Sequence, residues 1–400
     1  MARFPSLSAP ASTLRESVFA RLAGRLAAAS QRGEVYPLHI GDTHRPPPAA
    51  ARLAARADLD DPALFRYGSP AGEPALLDAL AEKCRVRNAL PFADRASILV
   101  TAGATLALSA AVRALLDPGD ELLIFSPYWP LIHGICTGAG VVPVEVEVTQ
   151  RLYADPAFDL ASALAARVTP RTRALYLITP NNPDGKVLDR AALETVARFA
   201  REHDLWVIAD EVYEDILFSG THLSIGSLPG MAERTVTAFS LSKSYALAGY
   251  RLGYVVADPR LVHAMRKLAN HAIYNVPVVL QRAGLAALEG AGEWMAESRE
   301  VYRSLRDLAS ANVRAPHFVP DGGAYLFLDL SREIEALGGG DDGTLRLFDR
   351  LIDDGVALAP GSQFGSAYAR HARLCYTAIA PERLSAGIAR LAETLDTLSR

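Results

Sequence analysis

Thr235-Val236-Thr237-Ala238-Phe239-Ser240-Leu241-Ser242-Lys243 passes from a β-branched, apolar segment into hydroxyl residues and a lysine. Its first part reads as a strand, and its nearly unbroken apolar character marks a strand covered on both faces. Working outward, comparable runs lie at 97–101, Glu121–Ser126, 141–148, 174–179, 205–209 and 253–257. Helical spacing fills the intervals, first at 105–116 and again near Leu131. The connections are long enough for right-handed crossovers, so the pattern predicts an α/β fold with a mostly parallel central sheet sandwiched by helices.

After Pro259 the pattern changes to long helices, and from Gly323 shorter strands return at 324–330, 356–359 and 373–376. We read these as a smaller α/β domain built from both chain ends, residues 1–40 plus 301–400, beside a large domain of residues 41–300. The Arg- and Ala-rich start, residues 1–33, has the composition of an organelle presequence. An amphipathic helix is the preferred reading, because Leu14, Val18, Leu22 and Leu26 recur at helical spacing, Glu16 is acidic, and the segment runs straight into the fold. There is no internal repeat or low-complexity tract.

Half of the 400 residues are hydrophobic, enough for a sizeable core. The net charge of -4 and pI near 6.2 argue against a nucleic-acid or acidic-membrane surface. No apolar run is long enough to span a bilayer. The 3 cysteines, Cys84, Cys136 and Cys375, have neither metal-ligand nor redox spacing and form no disulfide framework, which fits a reducing, cytoplasmic compartment. No metal site is expected.

Four segments sit where strands end, the place at which open α/β sheets bind ligands. Alone, Lys243 reads as a surface lysine. With Ser240, Ser242 and Gly249-Tyr250-Arg251-Leu252-Gly253 nearby, it also suits a carbonyl cofactor bearing a phosphate. Such a group needs an amine for a Schiff base, hydroxyl donors and an arginine. Asp210-Glu211-Val212-Tyr213 closes another strand; Asp210 either caps a turn or holds a protonated pyridine nitrogen, and Tyr213 reaches a ring oxygen. Thr179-Pro180-Asn181-Asn182-Pro183-Asp184-Gly185 is a turn in which an asparagine amide can donate to that oxygen and to a substrate carboxylate. Thr101-Ala102-Gly103-Ala104-Thr105 is a strand-to-helix step whose amides suit an anion.

Together with Ile40-Gly41, the Tyr67-to-Gly72 spacing, Pro118-Gly119-Asp120-Glu121, Ser126-Pro127-Tyr128-Trp129 and Arg373-Leu374-Cys375-Tyr376, these segments resemble the class I/II aminotransferases. These are fold type I enzymes that use pyridoxal 5'-phosphate. The resemblance implies that Lys243 is the Schiff-base and proton-transfer lysine and Asp210 the partner of the pyridine nitrogen. Tyr213 and Asn182 fall at the phenolic oxygen and Trp129 on the ring face. Gly103, Ala104, Thr105, Ser240, Ser242 and Arg251 fall at the phosphate. It further implies that Arg373 grips the substrate carboxylate beside Gly41 and Asn182, and that Tyr67 reaches a neighbouring subunit's phosphate in a homodimer with shared sites.

The implied reaction moves an α-amino group between an amino acid and a 2-oxo acid by a ping-pong route. A lyase, cyclase or oxidase on the same fold would share these residues. A regulatory module binding the cofactor as an effector is disfavoured, because only about forty residues precede Ile40. Three departures from the family pattern stand out. Asp184 replaces the usual threonine and Cys375 a serine or alanine, both read as structural. Thr105 stands where one bacterial aspartate/prephenate branch has a lysine, which favours neutral or aromatic donors over aspartate. Selectivity then falls to the loop 41–48 and Tyr274. In that loop Arg45 is either a reader of a distal acid or a plain loop residue.

Overall fold

A computed structural model describes residues 6–14, 18–155 and 157–398. Its larger sheet contains β1 (Ile98–Ala102), β2 (Glu121–Ser126), β3 (Val142–Glu147), β4 (Thr172–Ile178), β5 (Trp206–Asp210), β6 (Thr235–Ser240) and β7 (Leu252–Val256), in the order β1-β7-β6-β5-β4-β2-β3. Strands β2 to β6 pair in parallel, whereas β7 is antiparallel to both of its neighbours. The direction of β7 follows from its connection. Residues 241–251 alone link it to β6, and a parallel return requires a crossover of about a dozen or more residues.

The unbroken apolar runs have the expected cause. Along β4, Ala174, Tyr176 and Ile178 enter one core and Leu175 and Leu177 another; along β5, Ile208 faces the first and Val207 and Ala209 the second. Ala107, Leu108 and Ala111 of the helix Gly103–Leu115 cover the first face, and Leu193, Val196 and Ala197 of the helix Arg190–Glu202 the second. The edge strand β3 is less covered, with Val142 exposed.

The smaller sheet is antiparallel, with β8 (Tyr325–Asp329), β9 (Ala359–Pro360) and β10 (His371–Cys375) in the order β8-β10-β9. The strand expected at 356–359 shrinks to the edge of β9, because Val356 instead bridges in parallel to Tyr36. That bridge and the Cys375 N–H donated to Leu38 O, at 2.7 Å, stitch the N-terminal segment to the smaller sheet. Tyr36, Leu38, Leu326 and Leu374 share one core with the first face of the larger sheet. The N-terminal stripe forms two helices, Ala9–Thr13 and Val18–Arg32, with Leu14 between them and exposed; Glu16 lies outside the described residues.

The helix Pro74–Arg87 packs Leu76, Leu77 and Leu80 against Ile98, Val100, Phe239 and Tyr254. Its last turns are tied to the segment after β5 by a buried ion pair, Lys83 with Glu214. Asn88 Nδ2 donates to the other Glu214 oxygen at 2.6 Å, and the Lys83 ammonium lies 4.2 Å from the Phe239 ring centroid. Removing one partner of such a pair strands a buried charge, at about 3–5 kcal/mol. We therefore expect Lys83→Met to lower the unfolding free energy by about that much in urea titration. Adding Glu214→Gln should recover a large part of the loss.

Candidate active site

The carboxyl ends of the central strands open onto one cavity, where open α/β sheets place ligands. It is lined by Ala104, Thr105, Trp129, Asn182, Asp210, Tyr213, Ser240, Ser242, Lys243 and Arg251, with Leu108, Ile178, Val212 and Ala248 as its apolar part. Ten of the residues expected at the site thus meet in one place.

One wall is built by close approach of backbone. Gly103 has φ +71, and a Cβ there would strike the Arg251 guanidinium. A Cβ on Gly253 would come within 2.6 Å of the Ala104 nitrogen. No side chain caps the helix Gly103–Leu115, so its first N–H groups and positive dipole end are left for an anion. Ser240 accepts from Ser242 N at 3.1 Å and so starts the short helix Leu241–Ser244 that carries Lys243. The Lys243 ammonium donates to Gly41 O, and burial lowers its pKa, helped by the charges of Arg373 and Arg251.

Asp210 is 2% exposed at the end of β5. Its Oδ2 accepts from Tyr176 Oη at 2.9 Å and its Oδ1 from Val212 N at 3.4 Å. Neither donor offsets burial, which raises the carboxyl pKa to about 7.

A polar chain leads from the cavity to the smaller sheet. Asn182 Nδ2 donates to Tyr213 Oη at 3.4 Å, and the Tyr213 and Tyr325 hydroxyls lie 2.6 Å apart. Arg373, on β10, donates from Nη1 to Asn182 Oδ1 at 2.9 Å and from Nη2 to His39 O at 2.8 Å; its Nε is buried without a partner. The guanidinium lies over Tyr325 and Phe364, at 4.4 and 5.0 Å from the ring centroids. Gly41 approaches Tyr325 so closely that a Cβ would lie 2.5 Å from its hydroxyl oxygen.

Residues 34–391 match the family model "Aminotransferase class I and II". The chain is 38% identical to arginine–pyruvate transaminase of Pseudomonas aeruginosa over 87% of each chain. It is 34% identical to aspartate/prephenate aminotransferase of Thermus thermophilus over 90% of each. The fold superposes on Thermus thermophilus aspartate aminotransferase with maleate at a TM-score of 0.89 and 32% identity, covering 98% of this chain and 100% of that one. This chain belongs to the class I and II aminotransferases. It is an enzyme that transfers amino groups.

One expected site residue of this aminotransferase stands apart. Tyr67 is 86% exposed, in a groove with Leu64, Phe65, Arg66, Asn275 and Pro277, its ring edge-on to Tyr274 at 5.1 Å. Arg45 pairs with Glu297 at 3.2 Å and lies 5.3 Å from the Trp294 ring centroid. Cys375 is buried.

Sequence reasoning missed Tyr176 and Tyr325. Tyr176 had a signal: a phenol in an apolar strand needs a hydrogen-bond partner. It also missed the buried group behind Asp210, where Glu211 accepts from Ser224 at 2.5 Å and meets His222 at 2.7 Å. Glu214 is close by, with its charge met by Lys83.

Asp184 is buried and accepts from Asn181 Nδ2, Thr149 Oγ1, Gln150 Nε2 and Lys186 N, at 2.7, 2.5, 2.9 and 3.2 Å. It fixes the Asn182 turn and does not line the cavity. Asp184→Ala orphans these buried donors, so we expect a loss of at least about 1–3 kcal/mol of stability in chemical denaturation.

Proposed function

We propose that the cavity holds pyridoxal 5'-phosphate on Lys243 and transfers an α-amino group from an amino acid to a 2-oxo acid in two successive half-reactions. The observation that carries this reading is one cavity lined by three complementary groups. These are a lysine amine, a buried carboxylate with no cationic partner among the described residues, and an uncapped helix start beside Arg251. They match an aldehyde, a pyridine nitrogen and a phosphate in turn. Bound pyridoxal phosphate supplies the aldehyde that carries the amino group and the ring that takes up the electron pair left by the α-proton.

The chain's own residues do the remaining work. Lys243, its pKa lowered by burial, holds the cofactor and then takes and returns the α-proton as general base. Asp210 keeps a proton on the ring nitrogen. Tyr213 and Asn182 donate to the phenolic oxygen, and Trp129 covers the ring face. Gly103, Ala104, Thr105, Ser240, Ser242 and Arg251 hold the phosphate. Arg373, beside Gly41 and Asn182, offers a planar fork to the substrate carboxylate.

The wider reading follows. The exposure of Tyr67 and Phe65 in an open groove supports a homodimer in which Tyr67 completes the partner's phosphate site. Residues 41–300 serve as the large cofactor-binding domain and 1–40 plus 301–400 as the small one. Three buried free cysteines favour a reducing cytoplasm, and no described helix is long and apolar enough to cross a membrane.

Two experiments test this function. Borohydride reduction of the holoenzyme should lock the cofactor onto the Lys243 peptide, and Lys243→Ala should fold yet stay unlabelled. Labelling of another lysine, or of none, refutes the reading. For the substrate, Thr105 and the engagement of Arg45 by Glu297 favour neutral or aromatic donors, because an unpaired buried acid costs several kcal/mol. Half-reaction rates should therefore be faster with phenylalanine or leucine than with aspartate, and Arg45→Ala should leave that order unchanged. An aspartate preference abolished in Arg45→Ala would reverse this assignment.

A further inference from the structure

The hydrogen bond between Tyr176 and Asp210 reaches across two strands. In the parallel register of β4 and β5, Tyr176 lies opposite Ile208 and Ile178 opposite Asp210. Alternation along a strand puts all four side chains on the same face, and Tyr176 is the diagonal neighbour of Asp210, a separation that a long aromatic side chain spans. Tyr176 is fully buried, and its hydroxyl ends 2.9 Å from Asp210 Oδ2. Val212 N, at 3.4 Å, is a weak second donor on the other oxygen.

We infer that Tyr176 is a positioning residue for amino transfer, whose hydroxyl fixes the Asp210 carboxylate in its ionised form and aims its remaining acceptor capacity at the cavity. The inference rests on the proposed pairing of Asp210 with the cofactor ring. A carboxylate that already accepts one phenolic hydrogen bond is less basic, so a proton shared with a ring nitrogen resides more on the ring. It is also less free to rotate.

The groups around this pair leave Tyr176 as its strongest donor. Glu211, next in the chain, hydrogen-bonds to His222 and Ser224, and its charge raises the Asp210 pKa. Cys136, in the same core as Tyr176, has a thiol that burial pushes up to about 12 and that stays neutral. Lys243 and Tyr213 share the cavity, but neither hydrogen-bonds to Asp210 among the described contacts.

The test titrates the Asp210 carboxyl in the full-length protein stripped of cofactor, by carbon NMR of labelled aspartate, the signal being assigned by its loss in Asp210→Asn. Tyr176→Phe should raise the midpoint by about one pH unit, the worth of one hydrogen bond to an ionised group. Incorporation of 3-fluorotyrosine at 176, a stronger donor of nearly the same shape, should move it the opposite way. In the holoenzyme, Tyr176→Phe should lower kcat about tenfold while KM for the amino acid holds, because Arg373 is untouched.

An unchanged midpoint in both variants would overturn the inference and leave Tyr176 as a core residue. A shifted midpoint with unchanged kcat would equally refute a part in catalysis. Near-normal turnover in Asp210→Asn would instead overturn the cofactor role of Asp210, and the titration would still report whether Tyr176 acts on the carboxylate.

Discussion

The burial of Asp210 is the constraint from which the rest of the site follows. A carboxyl group excluded from water strongly resists ionisation, and this one sits at the end of a strand whose neighbours pack both faces of the sheet. A phenol and one backbone amide leave its pKa near neutrality. A cation arriving in the cavity relieves that strain and is bound more tightly for it. No cationic partner meets it among the described residues, and the sheet fixes its place: β4, β5 and β6 hold it in register, and Lys83 and Glu214 anchor the segment that follows.

The opposite walls are positive. Lys243, Arg251 and the helix start at Gly103 face the cavity, and Arg373 stands just beyond Asn182. This excess suits a ligand that brings a phosphate and a carboxylate together, and it adds to the burial that lowers the pKa of Lys243. An amine removed from water, with arginines nearby, gives up its proton more readily, which suits the proposed part as nucleophile and general base.

Most of this arrangement is legible in the sequence because parallel strands buried on both faces leave continuous apolar runs, and ligand groups gather where those runs stop. The same rule hides what deviates from it. The antiparallel β7 is apolar like its neighbours, and the shortness of residues 241–251 is the cue to its direction. At 356–359 the apolar run is real but its partner is Tyr36, far away in sequence, so no local signal marks the bridge. Tyr176 signals a buried phenol in need of a partner, but which partner it finds is set by the β4–β5 register, which no local sequence pattern marks. Tyr67 was legible as a motif but lies outside the cavity of its own chain, since one chain's fold carries no information about what covers an exposed face.

The two sheets divide the chemistry between them. Lys243 and Asp210 belong to the larger sheet, whereas Arg373 is carried by β10 of the smaller one and reaches the cavity through Asn182. Its partners there, an amide oxygen and the carbonyl of His39, are neutral acceptors, and its Nε has none. A carboxylate entering beside them offers charge-assisted hydrogen bonds, roughly twice as strong as neutral ones. Substrate capture on this view exchanges weaker acceptors for stronger ones at a guanidinium already oriented by Tyr325 and Phe364. Because Tyr325 also touches the Tyr213 hydroxyl, the group proposed to receive the carboxylate is in packed contact with the group proposed for the ring oxygen. In the proposed function, orientation of the substrate and alignment of the ring would rest on one packed unit, and a change at Tyr325 would disturb both.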